Sequence, residues 1–96
     1  VDMALAERML ELVRAVPPGR VTTYGDIAAA AGSRSPRLAG RVLAEMSDES
    51  VPWYRVVRAD GTPAPHLRDE QTGRLAEEGV RVRDGRVDLR KLRWRW

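Results

Sequence analysis

The sequence predicts a small α/β fold, a single domain over residues 1–96 with a helix-turn-helix at about 23–46, short strands and a C-terminal β-hairpin. Three observations predict it. Two capped apolar stretches, TTYGDIAAAAG and SPRLAGRVLAEM, meet at a glycine-containing turn. A run rich in β-branched and aromatic residues, VPWYRVV, occupies 51–57, and Asp84-Gly85 divides VRVRDGRVDL into two arms of alternating apolar residues. Ninety-six residues build one core rather than two.

Taken in order, residues 3–16 place Leu5, Met9, Leu12, Val13 and Val16 on one helical face, with Asp2 as N-cap and Pro17-Pro18-Gly19 as the stop. Thr23 followed by Asp26 resembles a capping box with Asp in the Glu/Gln place, so a helix runs from about Tyr24 to Ala31 and ends on Gly32. Ser33-Arg34 turns the chain. Ser35-Pro36 opens the next helix, with serine as cap and proline at the first position, where its missing N–H costs nothing. Leu38, Val42, Leu43 and Met46 form its core face; Arg34, Arg37 and Arg41 lie off it, and Ala39 and Gly40 are expected to keep the outer side low enough to approach a groove.

After the polar break SDES, VPWYRVV reads as a short buried strand and ADGT as a turn. Pro63, Pro65 and His66 fall in a loop, and one histidine alone makes no metal site. Residues 69–78 form a polar helix anchored by Leu75 and closed by Gly79. The hairpin pairs Val80 and Val82 with Val87 and Leu89. In RKLRWRW, the tryptophans Trp94 and Trp96 pack the chain end onto the core, or stack with nucleic acid.

Composition narrows the function. With no cysteine there is no disulfide, no thiolate metal site and no thiol nucleophile. No ligand cluster or phosphate-cradling glycine loop suggests a cofactor or metal, and none is expected. A 43% apolar, 32% charged chain without an 18-residue apolar run or a basic-then-apolar leader is expected to be cytoplasmic and independent of membranes. Residues 80–96 hold seven basic side chains against two acidic ones, leaving ten against twelve in the rest. A basic end suggests a polyanion partner.

Read together, RVTTYGDIAAAAG, SPRLAGRVL and VPWYRVVRADG resemble, in order and spacing, the DNA-binding domain of the O6-alkylguanine-DNA alkyltransferases. The likeness covers about residues 3–96, including EEGV and the Trp-rich end. It implies a winged-helix-like fold of the alkyltransferase C-terminal-domain type. Where that family carries Pro-Cys-His-Arg-Val, this chain has Pro52-Trp53-Tyr54-Arg55-Val56. Tryptophan at the cysteine position resembles the alkyltransferase-like proteins, which recognise alkylated guanine without repairing it. An indole or phenol does not accept an alkyl group as a thiolate does. The resemblance therefore implies a sensor and no catalytic residue.

By position, the resemblance makes Tyr24 the tyrosine that presses on the phosphate beside the target and helps rotate the nucleotide out. Arg37 matches the inserted arginine finger, with Arg41 the choice if the alignment shifts. The residues expected on DNA are Thr23, Tyr24, Arg34, Arg37, Gly40 and Arg41. Those expected around the alkylguanine are Leu43, Trp53, Tyr54, Val56 and either His66 or Arg68, with backbone partners for the base near Trp53 and Val56. The implied partners are duplex DNA containing O6-alkylguanine, contacted through the minor groove by a monomer, and nucleotide excision repair proteins. Three rivals stay open: a sequence-specific helix-turn-helix regulator reading the major groove, a residual enzyme using Tyr54 or His66, and a protein-interaction module without DNA.

Overall fold

Helix α1 (Met3–Arg14) begins where the Asp2 carboxylate accepts the Leu5 N–H at 3.1 Å, in a computed structural model that describes residues 2–96. Val1, the first residue of the expected domain, lies outside the described residues. The helix stops at Arg14, short of the predicted 16, because Val16 precedes Pro17 and a residue before proline disfavours the helical conformation. Its buried side chains are Ala6, Met9, Leu10 and Val13. Leu5 and Leu12 are only partly covered, so the apolar face is rotated from the expected one.

Strand β1 (Thr22–Thr23) leads directly into α2 (Tyr24–Ala31). Thr23 Oγ1 accepts the Asp26 N–H at 3.1 Å, as a cap should, and Gly32 ends the helix at φ +86°. The reciprocal arm of the expected capping box is not made. Asp26 instead takes a two-pronged bond from Arg93, Nε to Oδ2 at 2.7 Å and Nη2 to Oδ1 at 2.6 Å, across 67 residues. Helix α3 (Pro36–Met46) follows, with Ser35 Oγ accepting the Leu38 N–H at 3.0 Å. Ala39, expected on the outer side, is wholly buried with Val42 and Leu43, while Leu38 and Met46 pack at the edge.

The expected strand at 51–57 survives only as β2 (Val56–Val57). The Trp53 N–H bonds the Val51 carbonyl at 2.8 Å around Pro52, whose φ −77° and ψ 67° describe an inverse γ-turn. Trp53–Arg55 then form a 3₁₀ turn. The chain thus bends at Pro52 before it pairs. β2 runs parallel to β1 with Thr22 opposite Val56 and Thr23 opposite Val57. Successive strand residues face opposite ways, so Val56 joins a cluster among α1, α2 and α3, whereas Val57 joins a second one with Val21, Leu75, Val80 and Val87.

A 3₁₀ turn (Pro65–Leu67) occupies the expected loop and continues into α4 (Arg68–Glu77), whose buried side chains are Leu75 and Gln71. The predicted hairpin contracts to one antiparallel bridge, Arg83 with Arg86, around Asp84 at φ 52° and Gly85 at φ 78°. Its arms are claimed by other partners. Val80 and Val87 enter the second cluster, the Val87 N–H donates to Gly61 O at 2.9 Å, and Asp88 caps a short helix α5 (Leu89–Leu92) where a strand was expected. The chain end packs back: Trp94 N–H donates to Val21 O at 2.7 Å, Arg20 lies 5.6 Å from the Trp94 ring centre, and Trp96 Nε1 donates to Leu12 O at 2.8 Å.

Candidate nucleic-acid interface

The helix-turn-helix and the bent segment at Pro52 face each other across an open cleft of about 890 Å³. Tyr24, Gly40 and Leu43 line it from the helices, Trp53 and Tyr54 from the 3₁₀ turn, and His66 from the loop before α4. Six of the twelve site residues expected from sequence therefore share one surface. The half-buried Tyr24 ring lies over Gly40, where an added Cβ would stand 3.8 Å from ring carbon Cδ1. Burial pushes the Tyr24 hydroxyl above its ordinary pKa, with the Arg58 charge opposing. At neutral pH it is a protonated donor, the form that suits a phosphate oxygen.

The other six lie outside the cleft. Thr23 is buried and occupied as the α2 cap. Arg34, Arg37 and Arg41 are exposed along the outer side of the turn and α3. Arg41 is engaged by Glu45, Nε to Oε2 at 2.8 Å, whereas Arg37 makes no side-chain hydrogen bond or salt bridge among the described residues. Val56 is fully buried in β2; its N–H is spent on Trp53 O and its carbonyl already accepts from Gln71. Arg68 is exposed and lines a separate shallow depression with His66. The arginines that line the cleft are instead Arg14, Arg55 and Arg74; the Arg74 guanidinium sits 5.3 Å from the Tyr54 ring centre.

Polar contacts hold the cleft wall rigid. Trp53 and Tyr54 meet edge to face, 5.9 Å between ring centres at 89°. The Tyr54 hydroxyl donates to Glu78 Oε2 at 3.1 Å, and burial, followed by the hydrogen bond to that carboxylate, raises its pKa. Arg55 Nε donates to Glu78 Oε1 at 3.0 Å and its Nη1 to Val16 O at 2.8 Å. The Arg55 hydrogen bonds hold the Glu78 carboxyl below its usual range. Tyr54 is thus a braced neutral phenol, unsuited to nucleophilic attack.

Sequence reasoning missed Gln71. Fully buried, it donates from Nε2 to Tyr54 O at 3.0 Å and Val56 O at 2.7 Å, and its Oε1 accepts the Ala64 N–H at 3.1 Å. One amide therefore ties the Trp53 turn to the His66 loop. The available signal was position: Gln71 lies four residues before Leu75 and shares its buried face. Glu78 lay within a noticed motif, but nothing local indicated that it would meet Arg55.

Comparison with known proteins agrees with this geometry. The family model described as "6-O-methylguanine DNA methyltransferase, DNA binding domain" matches residues 4–80. The chain is 40% identical over 95 residues to a DNA base-flipping protein of Escherichia coli (strain K12), covering 94% of this chain and 74% of that protein. It is 36% identical over 81 residues to Alkyltransferase-like protein 1 of Schizosaccharomyces pombe, covering 78% and 75% respectively. The structure of S. pombe Atl1 in complex with damaged DNA containing O6-carboxymethylguanine superposes with a TM-score of 0.91 at 27% identity, over 100% of this chain and 99% of that one.

Proposed function

This chain belongs to the family of the 6-O-methylguanine DNA methyltransferase DNA-binding domain, and on that premise we propose that it is a non-enzymatic sensor of O6-alkylguanine in duplex DNA. The observation that carries the reading is the cleft that joins Tyr24 and Gly40 of the helix-turn-helix to Trp53, with no cysteine anywhere in the chain. Tyr24 donates its hydroxyl to the phosphate beside the lesion as the nucleotide rotates out. Arg37, in the first turn of α3 and without a carboxylate partner, fills the gap left in the stack. Arg41 would first have to leave Glu45, which favours Arg37 for this role.

The extruded base enters the cleft against the Trp53 indole, with Leu43 and His66 around it. Extrusion costs a few kcal/mol, less for a poorly pairing lesion, and the inserted arginine and aromatic contact offset that cost. Burying one methyl contributes about 1 kcal/mol, so discrimination is modest for methyl and larger for bigger groups. Because Tyr54 is braced on Glu78 and no thiol is present, the alkyl group stays on the base. A protein that holds a lesion without removing it serves by marking it, and nucleotide excision repair is the proposed recipient. It acts as a monomer, on DNA in the cytoplasm.

The experiment is a pair of variants assayed on modified and unmodified duplexes. Arg37→Ala weakens binding to the lesion duplex, while Trp53→Ala mainly erodes the preference for alkylated over normal guanine. Equal loss on both duplexes for Trp53→Ala would reduce that residue to a packing role and remove the basis of the reading.

A further inference from the structure

We propose that Arg58 and Arg86 form a phosphate grip that extends the DNA face from Tyr24 along the duplex backbone, an inference that rests on the DNA-binding reading above. Strand register supplies the placement. Thr23 lies opposite Val57 in the parallel pair, so the next residues on the two chains, Tyr24 and Arg58, leave side by side. Tyr24 opens α2, and Arg58 opens a tight turn closed by its own N–H to Thr62 O at 2.9 Å and by Gly61 N–H to Arg58 O at 2.8 Å.

That turn is anchored to the second basic one. Gly61 has φ +86°, its carbonyl accepts the Val87 N–H at 2.9 Å, and a Cβ there would stand 2.5 Å from the Val87 oxygen. Only glycine permits so close an approach. Arg86 immediately precedes this clamp, so the turn 58–62, which starts beside Tyr24, is joined to the turn 83–86 at the Gly61–Val87 contact. Both arginines are exposed, and neither makes a side-chain hydrogen bond or salt bridge among the described residues. By contrast Arg14, Arg41, Arg55, Arg74 and Arg93 are each matched to a carboxylate.

Asp60 lies within the electrostatic reach of both guanidiniums, and its carboxylate is bound to Thr62, N–H at 3.1 Å and hydroxyl at 2.7 Å. The three side chains therefore carry a net positive charge with two unmatched donor forks. Planar guanidiniums suit phosphate oxygens, and hydrogen-bonded turns at their base limit the backbone entropy lost on binding. The adjacency to Tyr24 selects DNA backbone over an acidic protein as the occupant.

The test compares Arg58→Gln, Arg86→Gln and the double variant on a duplex with one O6-methylguanine and on its unmodified twin, between about 50 and 200 mM salt. Each lost phosphate contact lowers the slope of log affinity against log salt by about 1. The expected change is about one for each single variant and about two for the double. It is the same on both duplexes, since phosphates carry no lesion information. Arg8→Gln, an equal charge change on the exposed side of α1, leaves the slope unaltered. Unchanged slopes at Arg58 and Arg86, or an equal drop for Arg8→Gln, would overturn the grip. A wild-type protein that binds both duplexes equally would sink the lesion reading while leaving the slopes interpretable, so the two failures are distinguishable.

Discussion

The helical half of the molecule, α1 to α3, and the cleft-wall half, residues 51–80, are held together by different forces. In the first, apolar side chains from three helices meet in one cluster, and Asp2, Thr23 and Ser35 cap the helix starts by accepting backbone N–H groups three residues on, with the Asp26–Arg93 pair the long-range exception. In the second, the apolar cluster is smaller and side chains bind backbone and carboxylates far along the chain, through Gln71, Arg55 and Glu78. Non-directional packing tolerates adjustment, whereas a hydrogen-bonded wall holds particular atoms in place. The difference suits a scaffold that must persist and a pocket that must fit.

Breaking the apolar core of the helical half, away from Tyr24 and Arg37, should have the largest energetic effect and the least functional one. Met9→Ala empties a fully buried site and is expected to cost about 4 kcal/mol in denaturant unfolding, yet the folded fraction keeps its preference for alkylated duplex. Gln71→Leu reverses that pattern. It leaves two carbonyls and an N–H unpaired, costs about 3 kcal/mol, and flattens the affinity ratio between modified and unmodified duplex because the Trp53 turn and the His66 loop are no longer joined. An unchanged ratio would show that the wall does not depend on this amide.

Smaller effects sharpen the contrast. Glu78→Gln removes the charge from the Arg55 contact and is expected to cost about 2 kcal/mol. The same contact makes the protein acid-sensitive. The Glu78 and Asp26 carboxyls lie below their ordinary pKa when folded, held there by Arg55 and Arg93. In the range below about pH 4 the unfolded chain therefore binds more protons, so the contribution is complete above the ordinary carboxylate range and disappears as pH falls through the folded values. Unfolding followed against pH should show this loss in wild type and a weaker one in Glu78→Gln. Smallest, Thr23→Ala removes one cap at about 1 kcal/mol, visible as a lower melting temperature.

The two halves also differed in how far the sequence disclosed them. Helices α2 and α3 start and end where Thr23, Gly32 and Ser35-Pro36 said they would, because caps act within one turn. Trp53 was placed in a strand because its neighbours have strand composition, but Pro52 turns the chain and only Val56 and Val57 pair. Asp26 looked like half of a capping box, and its true partner, Arg93, was 67 residues away. The Asp84-Gly85 turn forms, yet its arms pair elsewhere because Gly61 and the second cluster take Val87. Tyr24, Gly40, Leu43, Trp53, Tyr54 and His66 were legible as a group through motif resemblance. Arg74 and Gln71 were not, since only the packing of α4 brings Arg74 to the cleft and Gln71 beneath its wall.

The most direct measurement is a fluorescence titration of two duplexes that differ only in a single O6-methylguanine, at one stated salt concentration. The account predicts tighter binding to the modified duplex, with the preference carried by Trp53. Equal binding to both would contradict it and leave a DNA-binding domain whose cleft does not read alkylation.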